Sequence, residues 1–156
     1  DAIVHEPGAT PERRLEQLCI LILEDITTKK TTRLFPELWA LSNHDAFVFD
    51  RVHDLYARAR VVLNDIIAEA NPGLSVAHRE ALALFISASM EGMTVFAGHK
   101  KPFQQQMPWL ERIAVKSFVQ LALTMTDADF DLPVAQAPDL SPVKRNDPAL
   151  DAGPVE

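Results

Sequence analysis

Five histidines are the residues of this chain best suited to chemistry, because an imidazole can ligate a metal or move a proton near neutral pH. None of them stands in an H-E-x-x-H pattern or in another zinc-binding spacing. Asp50 and His53 form a single D-x-x-H pair, whereas di-iron helical bundles use paired E-x-x-H motifs with further glutamates. We therefore predict no metal site and interpret His53 as a surface residue of a helix.

Nucleophilic catalysis has little support in the sequence. The only cysteine, Cys19, lies in an apolar run with no positive neighbour that would activate its thiol. There is no G-x-S-x-G motif and no glycine-rich phosphate loop. We predict no catalytic residue, no cofactor and no enzyme activity. A single cysteine also excludes an internal disulfide, and a reduced, buried thiol suits a cytoplasmic protein.

One carboxylate stands out because it interrupts an apolar helix pattern. Glu91 lies between Met90 and Gly92. A buried carboxylate must be paired or hydrogen-bonded, or it takes up a proton. Two interpretations follow. Glu91 is either a rim or interface residue bonded to a neighbouring helix end, or a polar anchor for a ligand.

Large aromatic and methionine side chains are the other candidate binding residues. They form adaptable apolar surface with few polar groups between them, which is how small-molecule pockets are lined. The same residue types also build ordinary helical cores, so each of them is a candidate for either role. The set comprises Phe35, Trp39, Phe47, Tyr56, Phe85, Met90, Met93 and Phe96.

Composition limits the class of protein. The 156 residues are 47% hydrophobic and 24% charged, as is typical of one globular domain. A net charge of −7 argues against nucleic-acid binding by these residues themselves, because phosphate contacts need clustered Lys and Arg. The apolar run at residues 18–23 is far too short for a membrane span, and we expect no membrane partner and no signal peptide. Since the chain starts at Asp1 without an initiator Met, we expect a fragment or a trimmed product.

The first third of the chain has helical periodicity with two interruptions. Thr10 can cap a helix that has Pro11 in its first turn, and this helix is apolar on more than one face. Residues 27–32 are polar and rich in threonine, which predicts a connection or a frayed helix end. Pro36 then predicts a kink or a fresh helix start near Phe35.

Three further helices are predicted downstream. Apolar residues recur at helical spacing from Val48 to Ile66, and the turn at 71–73 ends that helix. Ser75 caps the next helix, Val76–Ala97, which Gly98 closes, and a last helix opens at Pro108. The prediction is an all-α bundle of about five helices over residues 10–126, with a lead-in at 1–9. Five prolines within 127–156 predict a disordered tail.

Three segments resemble the regulatory domain of TetR-family transcriptional repressors. They are LFPELWALSNHD at 34–45, LYAR at 55–58 followed by IAEANPGLS at 67–75, and the acidic-glycine-apolar signature ASMEGM at 88–93. The similarity extends over about residues 10–126. It implies a helical domain that dimerises through its last two helices and binds a small-molecule effector among the preceding ones. It also implies operator-DNA binding by a separate N-terminal helix-turn-helix, which is absent from these residues.

Two sets of residues follow as candidate sites. The helix at Val76–Ala97 has a face of small residues beside the apolar last helix, so we expect a homodimer interface that includes Ala81, Ala88, Gly92, Ile113, Phe118 and Leu121. The predicted effector is mostly apolar or aromatic, and its pocket is predicted to be lined by Cys19, Ile22, Phe35, Trp39, Asn43, Phe47, Tyr56, Met90, Glu91 and Met93. A helical adaptor or structural dimer without a ligand is the alternative, and a small helical enzyme is disfavoured.

Overall fold

The protein folds as five α-helices in a computed structural model that describes residues 8–131. Within that range there is no strand, so the predicted all-α fold of about five helices is confirmed. Two short 3-10 turns lie at Gln104–Gln106 and Asp127–Phe130. The helices are α1 (Pro11–Ile26), α2 (Lys29–Ser42), α3 (Ala46–Ala70), α4 (Val76–Ala97) and α5 (Met107–Thr124).

Polar caps fix where the helices begin. The side chains of Thr10 and Ser75 accept hydrogen bonds from the backbone N–H groups of Arg13 and His78, as the sequence predicted for α1 and α4. Gly98 is the C-cap of α4, which confirms the predicted end of that helix. These caps satisfy backbone groups that the helix ends would otherwise leave unpaired.

The threonine-rich segment at 27–32, predicted to be a connection or a frayed helix end, is a connection only at Thr27 and Thr28, and residues 29–32 begin α2. Only two residues separate α1 from α2, because the Thr28 side chain caps α2 by accepting from the Thr31 N–H. Thr31 and Thr32 are buried in the first turn, where their hydroxyls donate to Asp25 (2.9 Å) and to the carbonyl of Ile26 (3.0 Å). Their low helix propensity is offset by these tertiary hydrogen bonds. Of the kink or fresh helix start predicted near Phe35, the fresh start is wrong, since α2 continues through Pro36.

The core is built around α1, which contacts all four other helices. This explains why its apolar residues cover more than one face. The second half of α3, one face of α4 and one face of α5 complete the core. Its largest fully buried side chains are Leu15, Cys19, Leu23, Ile66, Ile67, Ile86, Met90 and Thr94.

The paired α2 and first half of α3 lie outside this core. Neither α2 nor residues 46–62 of α3 have a fully buried apolar side chain. The rings of Phe35, Trp39 and Tyr56 hold these two segments together, with ring centroids 6.1 and 6.3 Å from that of Phe35. This end of the domain therefore depends on a small aromatic cluster, while the main core holds the other end.

The ordered domain continues past residue 126, so the predicted tail boundary was placed too early. Asp127 Oδ1 accepts from the Ser75 N–H at 2.8 Å and lies 2.8 Å from His78 Nδ1. The Ser75 N–H and then the His78 contact lower the pKa of Asp127. The ring of Phe130 stacks on His78 at 4.4 Å. The remainder of the predicted tail, 132–156, lies outside the described residues.

One described helix, α4, is long and apolar enough by length and composition to cross a membrane. The core helix of a soluble protein passes the same test, and one face of α4 packs against α1, α3 and α5 through Leu82, Ile86 and Met90. Its composition is thus accounted for by packing and is no convincing evidence of a membrane span.

Candidate ligand-binding site

A cavity of about 440 Å³ lies between α1, α2, α3 and α4. Its volume is that of a pocket for one small organic molecule. The walls are mostly apolar, and five of the ten predicted ligand-binding residues line it. These five are Ile22, Phe35, Tyr56, Met90 and Glu91.

Local sequence explains how these residues reach one cavity. Ile22 and Asp25 are three residues apart on α1, so they project from the same side of that helix. Ser87, Met90 and Glu91 are related by the same helical spacing on α4. Two of these five, Asp25 and Ser87, were missed by the sequence analysis. The spacing from Ile22 and Glu91 was the signal that could have found them.

Glu91 is the most unusual group in the cavity wall. Its Oε2 atom is enclosed by protein and has no hydrogen-bond partner among residues 8–131. Burial raises the pKa of Glu91, the Tyr56 hydroxyl lowers it in part, and the negative charge of Asp25 raises it further. Glu91 therefore lines the cavity, although the enclosed Oε2 atom has no surface that a molecule in the cavity could reach.

A short polar chain runs from α2 to the cavity. Trp39 Nε1 donates to the Tyr56 hydroxyl at 2.9 Å, which leaves the Tyr56 proton free to be donated elsewhere. The pKa of Tyr56 is raised, first by burial and then by the charge of Glu91. Trp39 does not itself line the cavity, but its hydrogen bond orients the cavity-lining Tyr56.

The other predicted pocket residues are placed elsewhere, each for a physical reason. Cys19 is fully buried in the main core, where burial raises the pKa of its thiol to about 12. Met93 packs against that same core. Asn43 is exposed and donates from Nδ2 to the Trp39 carbonyl at 3.2 Å. Phe47 is 71% exposed near the start of α3, with the Arg51 guanidinium 5.6 Å from its ring centroid.

A second concave surface of similar volume, about 430 Å³, lies between α1 and α5. The two volumes do not show which of them suits an apolar effector, but the chemistry of their walls does. Half of its lining residues are charged, and none of the predicted ligand-binding residues is among them. Such a wall favours solvent over an apolar molecule. Its charged residues are Glu12, Glu16, Glu111, Arg112 and Lys116.

Some of the predicted dimer residues lie on an exposed face of α4 and α5, called the free face below, and others lie in the core. Ala81, Ala88, Gly92 and Ile113 are exposed. Phe118 is buried inside the subunit at 4% exposure, which corrects its assignment to an interface. Leu121 packs against the core from its edge. Sequence analysis missed large apolar residues that share the free face, namely Leu84, Phe85, Val95, Phe96 and Trp109.

Replacing Glu91 by Gln is expected to stabilise the protein in a pH-dependent way. The raised pKa means that charging Glu91 costs folding free energy at neutral pH and costs nothing below its unfolded-state pKa of about 4.3. Removing this partly buried charge should therefore raise Tm at about pH 7.5.

Thermal unfolding between about pH 4 and pH 7.5 measures this effect. The advantage of Glu91→Gln over wild type should shrink towards zero at the acidic end. Glu80→Gln removes the same charge from an exposed position on α4 and should leave Tm nearly unchanged. An advantage that is constant with pH would mean that the Glu91 carboxylate is not the cause.

Comparison with known families gives a match over most of the described residues. The C-terminal domain described as that of a BetI-type transcriptional repressor, a TetR-family domain, matches residues 11–113. The matched segment contains α1 to α4 and the beginning of α5, and therefore includes the whole lining of the cavity. No curated protein and no solved structure matches the chain.

Proposed function

We propose that this chain, which belongs to the BetI-type C-terminal domains of TetR-family regulators, senses a small, mostly apolar or aromatic effector and dimerises. In the intact regulator, a helix-turn-helix outside these residues would bind operator DNA in the cytoplasm, and the effector would relieve that binding. No catalytic step is part of this proposal.

The observation that carries the proposal is the cavity between α1, α2, α3 and α4. Its lining combines a majority of apolar and aromatic side chains with a smaller set of polar ones, which is the usual design of a small-molecule site. A wall made from four helices also lets one bound molecule influence how those helices pack. A structural dimer without a ligand would not need such a space.

Effector binding would act on operator affinity through a shift between two conformations. The coupling requires that the effector bind one conformation more tightly than the other. The pair formed by α2 and the first half of α3 is suited to such a shift, because it lacks a fully buried apolar residue and borders the cavity through Phe35 and Tyr56. Few buried contacts make a segment easier to displace.

Tryptophan fluorescence tests the binding proposal. Trp39 donates to the cavity-lining Tyr56 and lies 6.3 Å from the Phe35 ring, whereas Trp109 is 67% exposed on α5. Titration with small apolar and aromatic molecules, beginning with 4-phenylbutanol, should change the Trp39 emission. In Trp39→Phe the ligand-dependent change should disappear, while the Trp109 signal serves as the internal control. An undiminished change in Trp39→Phe would place binding away from the cavity.

The alternative of a ligand-free helical adaptor rests on the exposed apolar face of α4 and α5. Such a face accounts for dimerisation but not for a cavity on the other side of α4. An adaptor predicts no saturable change in Trp39 emission and no ligand-induced rise in Tm, so the same titration distinguishes the two functions.

A further inference from the structure

A chain of hydrogen bonds joins three helices in the wall of the cavity. Trp39 Nε1 on α2 donates to the Tyr56 hydroxyl on α3 at 2.9 Å. An indole N–H can only donate, so the Tyr56 oxygen is the acceptor and its own proton is donated to the Glu91 carboxylate on α4. Burial raises the pKa of Glu91, and this hydrogen bond from Tyr56 lowers it in part. The chain therefore runs in one direction, from α2 through α3 to α4.

The part of the protein that this chain ties to α4 is the helical hairpin at residues 33–62, which is anchored at both of its ends. Just before it, the hydroxyls of Thr31 and Thr32 donate to residues of α1 at 2.9 and 3.0 Å. Just after it, Leu63 is buried and begins the part of α3 that belongs to the main core. Between these two anchors no side chain is buried, and no ion pair joins the hairpin to α4 within residues 8–131. Its middle therefore depends on the aromatic cluster and on the hydrogen-bond chain.

We propose that this hydrogen-bond chain, with Tyr56 at its centre, is a latch that holds residues 33–62 against α4 and that opens while the main core stays folded. The Tyr56 ring also lies 6.1 Å from that of Phe35, so the latch has an apolar contact with α2 as well as a polar one. Tyr56 and Glu91 both line the cavity, so a molecule held there lies against the latch. The inference deepens the proposed function by naming the contact through which an effector would reach the hairpin, and for that link alone it rests on the proposed function.

A hydroxyl that served only the stability of the whole domain would behave differently. In that case residues 33–62 would open only when the entire domain unfolds, and any destabilising substitution would speed their hydrogen exchange as much as that of the core. A latched hairpin opens by itself at a lower free energy than the core does. Its exchange therefore responds to substitutions in the latch and not to substitutions in the core.

Hydrogen exchange of the full chain, measured by mass spectrometry without ligand, distinguishes these two cases. Tyr56→Phe keeps the ring and removes the hydroxyl, and we expect it to speed exchange within residues 33–62 by about fivefold or more. Ile86→Val is the core control, because it shortens a fully buried side chain of α4. It should speed exchange in the buried part of α4 but change exchange within residues 33–62 by less than about twofold.

A double-mutant cycle assigns the effect to the contact between Tyr56 and Glu91. Glu91→Leu leaves no acceptor at this position of α4, so adding Tyr56→Phe to it should speed exchange within residues 33–62 by less than about twofold. Glu91→Gln is the matched variant, because its amide carbonyl can still accept from the hydroxyl. In that background Tyr56→Phe should keep nearly its full effect.

Three results would overturn the latch. They are unchanged exchange within residues 33–62 in Tyr56→Phe, an equal rise in exchange there in Ile86→Val, and a full effect of Tyr56→Phe in the Glu91→Leu background. Because these measurements use no ligand, a failed search for an effector would count against the proposed function and leave the latch standing. A failed latch would likewise leave the cavity as the proposed effector site.

Discussion

Gly98→Ala is expected to destabilise the protein more than any other addition of one methyl group to a described glycine. A Cβ at this position would lie 2.6 Å from Thr32 Oγ1, 2.6 Å from the Thr94 carbonyl oxygen and 2.9 Å from Thr32 Cγ2. One of these atoms is backbone, and Thr32 is held in place, since its hydroxyl donates to the Ile26 carbonyl and accepts from the His99 N–H. Neither neighbour can move away cheaply.

The expected cost follows from sterics alone. Gly98 has φ −66, which any residue can adopt, so backbone strain contributes nothing. Overpacking and loss of the buried Thr32 hydrogen bonds should lower the free energy of unfolding by about 2–4 kcal/mol. This exceeds the gain of about 0.4–1 kcal/mol that alanine brings by restricting the unfolded chain.

Urea denaturation at one fixed protein concentration measures the Gly98→Ala effect. Gly73→Ala is the matched control, because its added Cβ would meet only Asn71 Oδ1 at an ordinary 3.8 Å. We expect the control to change the unfolding free energy by less than about 0.5 kcal/mol. Equal stability of the two variants would mean that the junction of α1, α2 and α4 is looser than described.

Ala88→Arg is expected to abolish dimerisation. The buried residues of α4, including Ile86 and Met90, lie on one side of the helix, while Ala81, Ala88 and Gly92 lie on the opposite, exposed side. Small residues allow a second helix to approach closely, and exposed Phe85 and Phe96 supply apolar area beside them. An arginine at the centre would block that approach and bury an unpaired charge.

The loss of affinity should be at least about a hundredfold, or about 3 kcal/mol. Sedimentation equilibrium at micromolar concentration should give a dimer for wild type and a monomer for Ala88→Arg. Ala40→Arg adds the same charge at an exposed position of α2 and should remain dimeric. Wild-type protein that sediments as a monomer would contradict the proposed interface.

The fold could be predicted from the sequence to the extent that local signals dominate. The caps Thr10 and Ser75 and the C-cap Gly98 act within one helical turn, so they are readable without a structure. The start of α2 was missed although Thr28 caps it locally, because Thr31 and Thr32 are stabilised by contacts with α1 and with His99 that propensity does not include. Asp127 is similar, since its partners are about 50 residues away in the sequence.

The types of residue in the candidate site could be predicted, but not which face of each helix borders the cavity. Glu91 and Tyr56 were identifiable because polar groups in apolar helices need partners. Cys19 and Met93 have the apolar character of pocket residues, yet they project into the main core and not into the cavity. Which face of a helix borders a cavity depends on how neighbouring helices pack, and one sequence does not contain that information.

The most direct test of the effector cavity is a titration in which the cavity itself is filled. Ala57 and Ala59 are both exposed on α3, but only Ala59 lines the cavity. Ala59→Phe would place an apolar ring into the available space, while Ala57→Phe adds the same ring outside it. Calorimetric titration with 4-phenylbutanol should give saturable binding to wild type and Ala57→Phe, with affinity for Ala59→Phe reduced by about tenfold or more. Equal binding to both variants, or no binding to wild type, would contradict a sensor that holds its effector in this cavity.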